Sequence, residues 1–193
     1  MPAPRTLLEL VKKYLEHFPQ DASQLELLLD QLRNGEELDN RRNFRGHIAG
    51  DAVILSPDLN KVLLIYHKRY QVWNQPGGHW DRGEDGPWST AEREASEETG
   101  LENLRRVNID PDLRVPIHIA TGEVPASRAK REPDHWHHDF RYGFIASSEQ
   151  LPEISDAGVG GSKWVSLVEY ENEGGHNFYI AVRRLVEFLR LKA

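Results

Sequence analysis

The sequence predicts an α+β fold, in which a mixed β-sheet packs against helices and a helical hairpin precedes it. Strand-like stretches alternate irregularly with stretches of helical periodicity, which argues against the regular repeat of a doubly wound parallel sheet. No internal repeat is visible. The 193 residues suit one domain with an appendage. We therefore expect a helical extension over residues 1–40 and a main domain over residues 41–193.

Two helical patterns open the chain on either side of the turn-like segment Pro19–Asp21. The apolar stripe of the first consists of Leu7, Leu8, Val11, Tyr14 and Leu15. The apolar stripe of the second consists of Leu25, Leu27, Leu28, Leu29 and Leu32. These stripes predict a hairpin of two helices that serves chiefly for packing, as a cap on the main domain or as a dimer contact.

The main domain begins with two strand patterns, His47–Ser56 and Lys61–His67, which flank the turn Pro57–Asn60 and predict a β-hairpin. The run Gly77-Gly78 interrupts the pattern, and a helix is predicted over Trp88–Thr99. The remaining predicted elements are strands at Arg114–Thr121, Trp136–Ala146 and Lys163–Leu167 and an amphipathic helix at Asn177–Lys192.

Composition argues against several classes of protein. The formal net charge of −7 argues against a general nucleic-acid binder, which needs a basic face. No apolar run approaches the length of a membrane span, the N-terminus lacks a secretory signal, and cysteine is absent. We expect a cytoplasmic protein without membrane contact. If its substrate is anionic, a cation or a few placed basic residues must attract it.

The segment Gly77–Leu101 reads GGHWDRGEDGPWSTAEREASEETGL and predicts a glycine-rich turn, an acidic loop and a short helix. Pro87 suits the first helical turn, and Gly100 suits the left-handed stop after the last one. Ser89 and Glu92 have the spacing of a capping box.

Three glutamates of this helix, Glu94, Glu97 and Glu98, stand at positions i, i+3 and i+4 and therefore share one face. Their like charges repel, and a bound divalent cation would remove that penalty. Oxygen ligands favour Mg²⁺ or Mn²⁺. The alternative interpretation is a solvated acidic face on which Arg93 offsets Glu97.

The whole segment closely resembles the Nudix box. In that motif a glycine, five residues, a glutamate and seven residues precede Arg-Glu-apolar-any-Glu-Glu-any-Gly-apolar. Five residues separate Gly78 from Glu84, and residues 93–101 match the second half at every specified position. Eight residues, one more than in the motif, separate Glu84 from Arg93. We assign the extra residue to the loop around Gly86, where an insertion costs least, and expect an intact helix.

The resemblance implies a Nudix-type α/β/α sandwich with a mixed sheet. It also implies a pyrophosphatase reaction, in which water attacks a phosphorus of a diphosphate in a nucleoside diphosphate derivative or a similar small molecule. The implied metal ligands, for Mg²⁺ or Mn²⁺, are Glu94, Glu97, Glu98 and the carbonyl of Gly78. The implied catalytic residues are Glu97, Glu94, Arg93 and Glu84, of which the last two would orient the set.

A second motif, HWHHDFRYGF, covers His135–Phe144. As a strand of period two it separates a polar face from an aromatic face that belongs in the core. The polar face holds His135, His137, Asp139 and Arg141. The aromatic side holds Trp136, His138, Phe140, Tyr142 and Phe144. We expect the polar side chains to be exposed and to border the substrate cleft, where Arg141 would grip a phosphate.

Two alternatives stay open for this strand, a solvent-facing sheet edge and a transition-metal site built on His135 and His137. Together with the stretch Gln75–His79, the strand makes the chain resemble a subgroup of bacterial Nudix proteins with poorly defined substrates. The predicted substrate-binding residues are His137, Asp139, Arg141, His135, His79 and Gln75.

Two other functions are compatible with the resemblance. One is a non-catalytic Nudix domain that senses a nucleotide; such domains often lose glutamates of the box, and here all are present. The other is an isoprenoid diphosphate isomerase, whose chemistry uses a cysteine that this chain lacks. The expected partners are a small-molecule diphosphate and, from the N-terminal hairpin and the dimer habit of many Nudix proteins, a second copy of the chain.

Overall fold

The structure is a computed structural model that describes residues 4–110, 114–128, 131–152, 158–173 and 176–192. Its helices are α1 (Pro4–His17), α2 (Glu26–Arg33), α3 (Pro87–Thr99), α4 (Leu167–Glu173) and α5 (His176–Arg190), and a 3₁₀ segment, Pro19–Leu25, joins the first two. Its strands are β1 (His47–Leu55), β2 (Lys61–His67), β3 (Val72–Asn74), β4 (Gly77–His79), β5 (Arg105–Val107), β6 (His118–Val124), β7 (His135–Ile145) and β8 (Val159–Ser166). No helix in the described ranges is both long and apolar enough to cross a bilayer.

The strands form one mixed sheet, which confirms the predicted fold class. Strand β1 lies at its centre and pairs in parallel with β7 along its whole length. On its other side β1 pairs antiparallel with β4 and, at its end, with β2. Strands β3 and β8 flank β2, while β5 and β6 pair with β7. The parallel pairing of β1 with β7 brings together residues about ninety positions apart in the chain.

Side chains of β1 alternate between two cores, because successive residues of a strand point to opposite faces. Ile48 and Ile54 belong to the core beneath α1, α2 and α3. Val53 and Leu55 belong to the core beneath α5. Each fully buried aliphatic side chain of this kind contributes about 1.5–3 kcal/mol to folding. The sheet therefore has helices on both faces, and only part of one face is left for a cleft.

The N-terminal helices pack against the sheet in a shared core, as their apolar stripes predict. Tyr14 is fully buried, and its hydroxyl donates a hydrogen bond to Asp21. The same hydroxyl accepts the backbone N–H of Ile119 in β6 at 3.1 Å. Arg184 of α5 donates to both carboxylate oxygens of Asp21, at 2.7 and 2.9 Å, and to the Tyr14 oxygen at 2.9 Å. Polar contacts thus join α1, the 3₁₀ segment, β6 and α5.

Several predicted boundaries are wrong. The strand predicted at Arg114–Thr121 begins only at His118, since Pro116 has no N–H to give to a ladder. The strand predicted at Lys163–Leu167 begins four residues earlier, at Val159, and ends at Ser166. Gly77-Gly78, predicted as an interruption, lies in β4. Three-residue strands such as β4 are too short to show a period in the sequence.

The predicted capping box of Ser89 and Glu92 is also wrong. The helix starts at Pro87, so Ser89 is already its third residue, and the Ser89 hydroxyl accepts the N–H of Gly86 at 3.2 Å. Glu92 instead pairs with Arg106 at 3.1 Å. The predicted stop is confirmed, because Gly100 is left-handed with φ 67°.

Candidate active site

A cleft of about 310 Å³ opens on the face of the sheet that carries the odd-numbered residues of β1. Strands β1, β2, β4 and β7, the segment around β3 and the end of α3 form its walls. Six residues singled out in the sequence line it: Gln75, Gly78, His79, Glu98, His137 and Asp139. The second motif and the end of the first therefore meet at one cleft.

Arg93 forms hydrogen bonds with three glutamates of the segment Gly77–Leu101. Its Nε donates to Glu84 at 2.8 Å, and its NH1 donates to Glu94 at 2.8 Å and to Glu97 at 2.9 Å. Helix α3 continues without interruption from Pro87 to Thr99, so the extra residue leaves the helical register of the glutamates unchanged, as predicted. Glu84 still reaches Arg93 across the longer loop.

The three glutamates on this face differ in exposure. The carboxylate of Glu94 lies against Gly78, where a side chain would collide with it. Burial raises the pKa of Glu94, and the charges of Glu97 and Glu84 raise it further, while Arg93 lowers it. Glu98 is 9% exposed, and its carboxylate accepts the N–H of Gly77 at 2.9 Å. Glu97 is largely exposed. Of these three residues Glu98 lines the cleft, whereas Glu94 and Glu97 both accept hydrogen bonds from Arg93.

A buried polar network forms the floor of the cleft. Asp51 accepts hydrogen bonds from Gln75 at 2.9 Å and from Arg141 Nε at 3.4 Å. Arg141 also donates to Asp139 at 3.2 Å and to His118 Nδ1 at 3.0 Å. Burial, followed by the charge of Asp139, raises the pKa of Asp51 to about 7. Burial and the charge of Arg141 lower the pKa of His118 to about 3, so this imidazole is a neutral acceptor.

The polar face of β7 is less exposed than the sequence predicts. Arg141 is only 5% exposed and His135 only 3%, so the expectation that both are exposed is wrong. Arg141 is drawn into the cleft floor by its hydrogen bonds to Asp51, Asp139 and His118. The ring of His135 packs against the rings of Phe44, His47 and His137. On the other face Phe140, Tyr142 and Phe144 are buried as predicted, whereas Trp136 is 40% exposed.

Asp51 and His47 are not among the residues predicted from the sequence, yet they complete the cleft floor and its neighbouring histidine group. Both lie on the same face of β1, because they are four residues apart in a strand. Parallel pairing sets His47 beside His137 and Asp51 beside Arg141. The odd positions of the stretch HIAGD carried a signal, namely polar residues in an otherwise apolar strand. Burial lowers the pKa of His47, which favours its neutral form.

The chain is similar to known proteins over most of its length. A family model described as NUDIX domain matches residues 46–185. A NUDIX-family hydrolase from Clostridium perfringens has a TM-score of 0.56 and 27% identity, covering 76% of this chain and 98% of its own. The dihydroneopterin triphosphate pyrophosphohydrolase of E. coli has a TM-score of 0.56 and 17% identity, covering 72% of this chain and 94% of its own.

An Ap4A hydrolase from C. elegans has a TM-score of 0.52 and 19% identity, with 74% of this chain and 97% of its own covered. At such identities these last two likenesses concern the fold. No curated protein sequence matches this chain significantly.

Proposed function

This chain belongs to the NUDIX family, and from that premise we propose that it is a metal-dependent pyrophosphohydrolase. Its substrate would be a nucleoside diphosphate derivative or a similar phosphorylated small molecule. Water would attack one phosphorus of the diphosphate, the bond from that phosphorus to the bridging oxygen would break, and the other phosphorylated half would leave. One observation carries the proposal: an unbroken helix holds Glu94, Glu97 and Glu98 on one face, Glu98 lines the cleft, and Arg93 joins the other two to Glu84. The likeness to the Clostridium perfringens hydrolase supports the same reaction class.

The acidic side chains fit a divalent cation. Burial and like charges raise the pKa of Glu94, and a cation would relieve both effects. Carboxylate and carbonyl oxygens are the donors that Mg²⁺ and Mn²⁺ prefer. The residues that would hold the ion are Glu94, Glu97, Glu98 and the carbonyl of Gly78. When bound there, a divalent cation supplies charge neutralisation of the diphosphate and acidifies the attacking water.

The protein's own contribution is orientation. Arg93 fixes the carboxylates of Glu84, Glu94 and Glu97 through three hydrogen bonds of 2.8–2.9 Å. The N–H of Gly77 fixes Glu98 in the same way. Such a preorganised set loses little free energy to reorganisation during the reaction. Glu94 and Glu97 are the proposed proton-handling residues, since Arg93 holds both carboxylates in place within the acidic group.

We assign substrate binding to the residues of the cleft that lie outside α3. We assign direct contact to His79, His137, Asp139 and Gln75, all of which line the cleft. Arg141 and His135 lie behind them, and we assign these two a positioning role in place of the direct grip on phosphate expected from the sequence. Arg141 holds both Asp51 and Asp139, so it orients the floor that the substrate meets.

The alternative functions are less well supported. A sensor that binds a nucleotide without cutting it needs no complete acidic set, yet Arg93 holds such a set in place. An isoprenoid diphosphate isomerase requires a cysteine, and the chain contains none.

Substitution of one ligand tests the proposal. We expect Glu98→Gln to lower kcat by about a hundredfold or more on a panel of nucleoside diphosphate derivatives with Mg²⁺, because metal-ion charge stabilisation contributes several kcal/mol. The matched control is Glu92→Gln on the same helix. It removes only the ion pair with Arg106, in which the Glu92 side chain is 44% exposed, so activity should be retained. Steady-state formation of the nucleoside monophosphate, followed by chromatography, measures both.

Three results would contradict the mechanism: undiminished turnover by Glu98→Gln, undiminished turnover of the unaltered chain in excess chelator, or an equal loss in both variants. Tight binding of a panel member with no turnover at all would favour the sensor instead.

A further inference from the structure

Four imidazoles lie together outside the carboxylate group of α3, and two of them, His79 and His137, line the cleft. His47, His79, His135 and His137 come from β1, β4 and β7. The ring centroid of His47 lies 4.5 Å from that of His137 and 5.1 Å from that of His79, and His79 lies 5.1 Å from His137. One ligand nitrogen from each of these three residues lies within 4.8 Å of the others.

The sheet itself sets this arrangement. His47 is the direct partner of His137 in the parallel ladder, and His79 is opposite Ala49, two residues along β1. All three side chains therefore project from one face of three adjacent strands. The small side chain of Ala49 leaves the space between them open. A site anchored on neighbouring strands is held more rigidly than one on loops.

His47 supplies the observation that points to a ligand. Its Nδ1 lies 3.2 Å from the carbonyl oxygen of Asn43, to which it donates its proton, and this leaves a lone pair on Nε2. That Nε2 is buried and has no hydrogen-bond partner within the described ranges. A buried acceptor without a partner costs free energy, and a bound cation would satisfy it. An imidazole whose other nitrogen donates to a carbonyl is the usual state of a metal-binding histidine.

His137 is oriented in a comparable way by a fourth imidazole. His135 donates its Nδ1 proton to the carbonyl of Pro133 at 2.8 Å, which leaves its Nε2 as an acceptor. The Nε2 of His137 lies 3.1 Å from it and donates its proton there. The lone pair of His137 is then on Nδ1. His135 thus positions His137 without itself being one of the three ligands.

We propose that His47, His79 and His137 bind one late transition-metal ion, of which Zn²⁺ is the best fit; with the ion bound, His79 and His137 would meet the substrate through it and not directly. Three imidazoles form a recognised zinc donor set and leave a fourth coordination position for another ligand. Nitrogen ligands distinguish this site from the carboxylate group of α3, whose oxygens suit Mg²⁺ or Mn²⁺. Zinc–nitrogen bonds of roughly 2.0–2.1 Å at tetrahedral angles imply nitrogens roughly 3.3 Å apart. The present separation of up to 4.8 Å would have to shorten to that value by rotation of the side chains when the ion binds.

The ion would add positive charge to the wall of a cleft that also contains Asp51 and Asp139. His47 and Asp51 are four residues apart on β1, or about 13 Å along the strand. The cleft would then have a cationic end and a carboxylate end. An anionic group of a ligand would be attracted to the first.

Metal titration of the full chain, stripped with a chelator, tests the site. We expect one Zn²⁺ per chain to bind with at least about hundredfold higher affinity than Mg²⁺ at the histidines, as nitrogen donors dictate. His47→Asn, His79→Asn and His137→Asn should each weaken Zn²⁺ binding by about tenfold or more. Co²⁺ as a spectroscopic substitute should give the absorption bands of nitrogen ligation in the unaltered chain and lose them in these variants.

His17→Asn is the control, because His17 lies on α1, where the side chain is 36% exposed. Its Zn²⁺ affinity should equal that of the unaltered chain. Circular dichroism confirms folding, and if the buried His47 variant fails to fold, the half-buried His79 and His137 variants decide the matter. Glu98→Gln should also keep Zn²⁺ binding, which separates this site from the proposed hydrolytic one.

Zn²⁺ binding that survives His79→Asn and His137→Asn, or that is lost in Glu98→Gln, overturns the proposal. So does an unaltered chain that prefers Mg²⁺ to Zn²⁺ at every site. If the histidine-dependent binding is found but no diphosphate is hydrolysed, the zinc site stands and the proposed function fails.

Discussion

Arg141 is expected to contribute strongly to the stability of the folded protein. Its buried guanidinium forms ion pairs with Asp51 and Asp139. Without it, the two carboxyl groups would have no positive charge beside them. We expect Arg141→Met to lower the free energy of unfolding by about 3–5 kcal/mol at pH 8, because breaking a buried pair leaves uncompensated charge. Urea denaturation measures this. Arg183→Met is the control, since both Arg183 and its partner Glu187 are more than half exposed.

The loss of unfolding free energy in Arg141→Met should depend on pH. Burial already raises the pKa of Asp51 to about 7, above its unfolded value, so protonation favours the folded state as pH falls through 7. Without Arg141 the carboxyl is more easily protonated still. The difference in unfolding free energy between Arg141→Met and the unaltered chain should therefore shrink between pH 8 and pH 5. A constant difference would show that Arg141 acts through packing alone.

At the scale of elements, one contact joins the N-terminal hairpin to the last helix. Asp21 of the 3₁₀ segment and Arg184 of α5 form a pair whose side chains are 8% and 12% exposed. Burial alone would raise the pKa of Asp21, but the hydrogen bonds from Arg184 and Tyr14 outweigh it, and the pKa is lowered. We expect Asp21→Asn to cost about 3 kcal/mol at pH 7, since Arg184 would stay buried without its countercharge.

The pH dependence of that loss has a definite sign. A carboxylate with a lowered pKa stabilises the folded state fully above its unfolded pKa of about 3.9, and the effect is lost as pH falls through the folded value. The gap between Asp21→Asn and the unaltered chain should thus be full at pH 7 and close only below about pH 4. Glu16→Gln on α1 is the control, because that carboxylate is 66% exposed. Equal unfolding midpoints for all three chains would refute the link.

For the molecule as a whole, the sequence predicts those features that depend on neighbouring residues, such as the periodicity of a helix or strand. Long periodic elements such as β1, β7, α3 and α5 lie close to their predicted places, and the acidic helix was found from its motif. The alternation of β7 predicted which side chains share a face. It did not predict what covers that face, and so the burial of Arg141 and His135 was missed. Asp51 and His47 stand out locally as polar residues of an apolar strand, but what makes them part of the site is the pairing of β1 with β7, which joins segments about ninety residues apart.

The contact between Tyr14 and Ile119 has a consequence for self-association. Strand β6 pairs with β7, and its outward N–H at Ile119 is taken by the Tyr14 hydroxyl. A strand with unpaired N–H and C=O groups is a template for another chain's strand. A chain that starts at residue 34 should therefore aggregate at concentrations at which the full chain is monodisperse, with an intermolecular β-sheet signature in the infrared spectrum. Tyr14→Phe keeps the packed ring and should aggregate far less. If the shortened chain scatters no more light than the full one, the N-terminal helices do not shield the edge strand β6. If it precipitates as expected, these helices prevent other copies of the chain from pairing with that strand.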